Sequence, residues 1–159
     1  MFMEKKWVVR IYLFTGIGIF LWLSLIILAP YLKIKASPGI ELIYSAFAPI
    51  CHQIESRCFF LWGNALPVCT RCLGIYSGFL GGAWSYPFFR GFRVLRVPSI
   101  NTFLFFSAPI VIDTIGIFFN IWATGAWMRF FIGLAWGVIL PYYFITGLAD
   151  FFIQRRLKS

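Results

Sequence analysis

Between Ile11 and Pro30 the chain runs twenty residues without a charge. The hydrocarbon core of a bilayer is about 30 Å thick, and a helix needs roughly twenty residues to cross it. Lipid offers nothing to hydrogen-bond a free amide, so such a run must satisfy its own backbone as a helix. Three more stretches repeat the pattern, at 69–89, 102–119 and 130–148. Only 12% of the residues are charged, about half the share of a soluble domain. These observations predict an all-α fold: one domain over 1–159, an integral membrane bundle of four transmembrane helices.

The segments between the runs set topology. A cleaved signal peptide would have an apolar region of about 7–15 residues and a small-x-small cleavage site. The first run is longer, and Ile34 spoils the site that would end at Ala36, so span one is read as retained. Lys33 to Gly39 is a polar turn. Ile40 to Ile50 is apolar but too short to cross, which predicts a re-entrant or interfacial helix before span two. Arg90 to Pro98 is a basic loop between spans two and three. With four crossings, nine Lys and Arg fall on the side shared by both termini and five on the other. The basic excess marks the cytoplasmic face. Both termini are therefore expected in the cytoplasm, with the chain in the cell membrane. Trp7 and Trp84 fall at the inner boundary; Trp62, Trp122 and Trp127 fall at the outer one. The net charge of +9 thus reads as a topology signal, not a nucleic-acid surface.

On span two, Gly74, Ser77, Gly78, Gly81, Gly82 and Ser85 share one face at 100° per residue. Small faces let membrane helices approach closely. Gly133 and Gly137 form a matching pair on span four. Span two is accordingly the expected central helix, its glycines serving packing.

All four cysteines and the single histidine lie between Cys51 and Cys72. Cys69-Thr70-Arg71-Cys72 is a C-x-x-C at a predicted helix start, introduced by Pro67. Helix-end amides and Arg71 would lower a thiol pKa there and favour redox chemistry. The same spacing lets two sulfurs reach one soft ion. A structural disulfide is the third reading. Cys51-His52 can add ligands, although adjacent side chains diverge. Cys58 follows Cys51 by seven residues, about 10.5 Å on a continuous helix, too far to share an ion unless the segment bends. Gly63, Asn64 and Pro67 supply the bend. The expected ligand set is Cys51, His52, Cys69 and Cys72, around zinc or copper.

Asp113 is the other outlier. It is twelfth of eighteen residues in span three, about 10 Å from the outer boundary by helical rise. An ionisable group at that depth points to function, or to a buried ion pair. Arg71 and Arg129 begin outer helix ends and are its expected partners.

The string Cys51-His52-Gln53, then Arg57, then the motif from Pro67 to Gly78 resembles a small prokaryotic membrane family, catalogued as domain of unknown function two-zero-eight-five. Gly63, Gly74, Ile75 and Tyr76 also match its motifs. So, more loosely, do Asp113, Thr124, Gly125, Arg129 and Gly133. The resemblance spans roughly 40 to 140. Cys58 departs from it, where the pattern implies Ser. The family has no assigned activity, so the resemblance implies a site and names no reaction.

Three functions fit these residues. The first is a metal-binding membrane protein with a Cys/His site on the outer side of the bilayer. The second is a membrane thiol–disulfide oxidoreductase using Cys69 and Cys72, with a quinone as electron acceptor. The third is a disulfide-stabilised structural or partner subunit. Transport would need a homo-oligomer, because four helices enclose no path.

Overall fold

A computed structural model describes residues 2–36, 38–89 and 98–157. The basic loop 90–97 lies outside the described residues. The elements are α1 (Phe2–Ile34), α2 (Ile40–Phe47), a 3-10 turn (Glu55–Arg57), β1 (Cys58–Leu61), β2 (Asn64–Cys69), α3 (Thr70–Phe89), α4 (Ile100–Phe118) and α5 (Ala126–Leu157).

Among the described residues three helices, not four, are long and apolar enough to cross a membrane. They are Lys6–Ile34, Ile100–Phe118 and Ala126–Phe152. The expected second span does form a helix, α3, twenty residues long. It falls short on apolarity, because four glycines, Thr70, Arg71, Ser77 and Ser85 dilute it. What these small residues do is pack. Gly74, Gly78 and Gly82 are buried, and a Cβ added to any of them would lie 2.1–2.2 Å from a backbone oxygen of Phe130, Leu134 or Val138. Gly133 and Gly137 meet the backbone of Arg71 and Ile75 in the same way. The residue numbers rise together, so α3 and α5 run parallel with backbones in contact. Lipid supplies no hydrophobic drive for such an association; close packing of small residues does. Gly81, which the sequence places on the same face, meets nothing within 4 Å.

The other helices run antiparallel to this pair. Near the start of α1, Val8 and Ile11 pack with Tyr86 of α3 and with Ile145 and Ala149 of α5. Near its end, Leu23 and Ile26 pack with Phe47, Cys51, Leu66 and Val68. Helix α4 is tied to α5 by Trp136 Nε1 donating to Ser107 Oγ at 2.9 Å and Tyr143 OH donating to the Ser99 carbonyl at 2.8 Å. Pro30, Pro109 and Pro141 sit inside α1, α4 and α5 without ending them. Large apolar side chains such as Phe14, Phe20, Phe105 and Phe118 point outward, as a lipid-facing surface requires.

The fold is not purely helical. Where the sequence predicted only a bent segment, β1 and β2 form an antiparallel hairpin with Cys58 opposite Cys69 and Leu61 opposite Asn64. Its two-residue turn puts Trp62 at φ 51° and Gly63 at φ 78°. Positive φ at both central positions is the turn whose twist suits a hairpin. Pro67 is tolerated because a two-stranded sheet has only edge strands. The hairpin and α2 fold over one end of the bundle. Tyr44 OH donates to the Ala65 carbonyl at 2.7 Å, and Gln53 Nε2 donates to the Tyr44 carbonyl at 2.6 Å.

Candidate metal centre

Three elements deliver three sulfurs to one point. The chain leaves α2 through a turn in which the Cys51 amide donates to the Phe47 carbonyl at 3.0 Å. That bond holds Cys51 inward, 5% exposed, in the apolar cluster of Leu23, Ile26, Phe47 and Val68. Strand β2 ends on Cys69, and the first turn of α3 carries Cys72. The sulfurs of Cys51, Cys69 and Cys72 all lie within 4.8 Å of one another. The Cys69 amide donates to Cys51 Sγ at 3.1 Å. Hydrogen bonds from Cys69 and Cys72 pull the Cys51 thiol well below the usual thiol range, with further help from the Cys69 and Gln53 backbone. A depressed thiol pKa favours the thiolate, which is both the nucleophile and the metal ligand.

All four cysteines are free thiols, so neither a Cys69–Cys72 nor a Cys51–Cys58 disulfide is present. Cys58 stays outside the sulfur group. It faces Cys69 across the hairpin, but its Sγ bonds the Ile54 carbonyl at 3.3 Å. Burial pushes its thiol up to about 11, and the negative charges of Cys51, Cys69 and Glu55 add to the shift. The 10.5 Å helical spacing does not apply, since Cys51 precedes the 3-10 turn and Cys58 begins a strand. His52 is exposed and is not part of the sulfur group.

The back wall of the centre is aromatic. Phe47 meets Trp22 edge-on with centroids 4.7 Å apart, and Tyr76 meets the same ring at 6.1 Å. The front wall is cationic. Arg71 lies between Cys69 and Cys72 in sequence and reaches Asp113 on α4, with which it forms a salt bridge. It also donates to Thr114 Oγ1 at 3.2 Å. Asp113 is 3% exposed. Its other oxygen accepts from Thr124 Oγ1 at 2.7 Å, so both carboxylate oxygens are engaged. Arg129, the second arginine expected near Asp113, forms no ion pair or side-chain hydrogen bond with it among the described residues.

Thr124 is delivered by the end of α4. The Ile121 amide donates to the Gly116 carbonyl at 2.9 Å and the Asn120 amide to the Ile117 carbonyl at 3.1 Å, with Asn120 at φ 54°. This pair of bonds around a left-handed residue is the Schellman helix stop. It turns the chain back so that Trp122 lies on Gly116, where any Cβ would fall 2.1 Å from the indole. The asparagine was a readable stop signal, but the distance from Thr124 to Asp113 was not.

The arrangement defines a polytopic helical membrane protein that carries three converging cysteines and a buried Arg–Asp pair at one end of its helices. The chain belongs to the family described as Predicted membrane protein (DUF2085), which matches residues 51–143. That range contains the three cysteines of the centre together with Arg71, Asp113 and Thr124. The chain is 28% identical to Uncharacterized protein MJ1492 of Methanocaldococcus jannaschii, across 94% of this chain and 99% of that protein. No solved structure matches it.

Proposed function

We propose that the protein is a single-domain membrane protein binding a soft or borderline metal ion, zinc or copper, through Cys51, Cys69 and Cys72. The observation that carries this reading is the convergence of three thiols, from a loop, a strand end and a helix start, within 4.8 Å. Thiolate sets select zinc and cuprous copper over hard cations. The hydrogen bond donated by the Cys69 amide to Cys51 Sγ is the outer contact that fixes a ligand and favours its ionised form. His52 decides between the ions in this reading. Zinc takes four ligands, and His52, exposed beside Cys51, would have to turn inward to be the fourth. Cuprous copper is satisfied by the sulfurs. The bound ion would supply a closed structural clip or a transferable soft cation; the chain's own part is to hold three sulfurs together against an aromatic wall, with Cys51 favoured as the thiolate.

The site would face the extracytoplasmic side, with both termini in the cytoplasm. The parallel α3–α5 contact supports the four crossings of this topology, and the excess of Lys and Arg on the side of the termini supports its orientation. A helix held backbone-to-backbone along α5 shares its depth in the bilayer, so α3 crosses as a partner of α5 although its own composition is too polar to insert alone.

A second reading keeps the same sulfurs for thiol–disulfide exchange, with Cys51 thiolate beside two thiols. A quinone is harder to place. The apolar groove lined by Tyr12, Ile17, Phe20, Leu80 and Trp84 begins eight residues beyond Cys72 on α3, roughly 12 Å away by helical rise.

The test is elemental analysis of the detergent-purified protein. Stoichiometric zinc or copper that disappears in Cys51→Ser and in Cys69→Ser supports the metal reading. Cys58→Ser retains it. Metal-free protein that forms a reversible Cys51–Cys69 or Cys69–Cys72 bond under mild oxidants supports exchange.

A further inference from the structure

Beside the sulfur centre lies a cleft of about 250 Å³ whose walls include Arg57, Cys69, Arg71, Thr114, Phe118 and Arg129. The three arginines come from three separate elements: the 3-10 turn, α3 and α5. Their charges are poorly balanced. Asp113 is the acid that meets them, and its two oxygens are taken by Arg71 and Thr124. No carboxylate pairs with Arg57 or Arg129 among the described residues. The Nε atoms of Arg71 and Arg129 are buried without a hydrogen-bond partner. Guanidinium groups gathered this way repel one another, and their unsatisfied donors are costly where water is scarce. A fold that keeps such a group of charges needs a counter-ion there.

We propose that this cleft binds a phosphate group. One positive charge remains after Asp113 and the neighbouring Cys51 thiolate are counted, which suits a phosphate monoanion or the singly charged phosphodiester of a lipid headgroup. Guanidinium forks match phosphate oxygens two at a time, better than any other side chain. The Phe118 side of the cleft is apolar and exposed toward lipid, so an organic portion attached to the phosphate has a surface to lie on. Cys69 belongs to both sites, which places the bound phosphate against the sulfur centre. The inference stands on the arginines alone and does not require the metal.

Two measurements on the full chain test it. In the first, inorganic phosphate is titrated into detergent-purified protein and followed by phosphorus NMR. In the second, protein from nanodiscs of phosphatidylglycerol or of phosphatidylcholine is examined by native mass spectrometry for retained lipid. Saturable phosphate binding, weakened about tenfold in Arg129→Gln and in Arg57→Gln, establishes a site for a soluble phosphate compound. Retained phosphatidylglycerol that is lost in the same variants, without saturable inorganic phosphate, establishes a headgroup site. Arg57 is exposed and outside the helices, so its variant stays informative if Arg129→Gln does not fold. Arg155→Gln, at the opposite end, leaves either signal unchanged. Neither ligand bound, or binding equal in wild type and both variants, overturns the proposal.

Discussion

The two ends of α3 solve different problems with different materials. At its C-terminal end, Tyr86 packs with Val8, Ile11, Ile145 and Ala149, all from long helices. At its N-terminal end, Cys69, Arg71 and Cys72 meet a loop, a hairpin, α4 and the turn after α4. Helices alone fill a space with apolar side chains well. They bring groups from distant stretches to a point less well, because each helix offers one residue per turn to a given neighbour. The end that gathers sulfur, guanidinium and carboxylate is therefore the end where the backbone leaves the helix. The difference teaches where sensitivity to substitution should lie.

Asp113→Ala should produce the largest effect, and only at the sulfur end. It leaves Arg71 partly buried without its counter-charge, at a cost of about 3–5 kcal/mol. The check is thermal unfolding in detergent together with cysteine labelling, which should rise at Cys69 and Cys72. An unchanged melting temperature would dissolve the distinction between the two ends.

Gly78→Val should act on both ends together, since a Cβ there falls 2.2 Å from the Leu134 backbone oxygen. Backbone cannot yield as a side chain does, and overpacking of this kind costs about 3 kcal/mol. Gly81→Val, in open space, should be near neutral in the same melt. Equal losses for the two would contradict the α3–α5 contact.

Thr124→Val sharpens the comparison. It removes one hydrogen bond to the buried carboxylate and should cost about 2 kcal/mol, without disturbing the α1–α3–α5 cluster. Fluorescence of the tryptophans and proteolysis of the hairpin would register it.

The last effect is kinetic and involves no loss of stability. Cys58 has its pKa raised to about 11, so it remains a neutral thiol through the physiological range. Its alkylation rate should climb with pH and level off near 11, not near 9.0. At pH 8 that makes it about a hundredfold slower than an ordinary thiol. Cys51→Ser removes a neighbouring negative charge, so the profile should move to lower pH. A profile that levels off near 9 in the parent protein would contradict the buried, charge-flanked position of Cys58.

The long apolar runs were legible because lipid imposes a length and a composition on anything that crosses it alone. The Cys-x-x-Cys and the buried Asp113 stood out for the related reason that such residues are rare in apolar surroundings. The hairpin was not legible: Gly63 and Pro67 announced a bend, but six residues of β2 carry no pattern stronger than that of the helix they introduce. The register that sets Cys58 opposite Cys69, yet sends their sulfurs to different partners, cannot be read from spacing.

The order of residues alone thus determined that this chain lives in a membrane, three of the four stretches read as entering it, and which side chains are chemically out of place there. Each follows from a local property, the cost of a charge or a bare backbone group in hydrocarbon. Only the tertiary structure decided that α3 rides on α5 through its glycines, that Cys51 joins Cys69 and Cys72 while His52 and Cys58 stay apart, and that Asp113 belongs to Arg71 and Thr124. Those outcomes depend on distances between segments tens of residues apart, and such distances are set by packing.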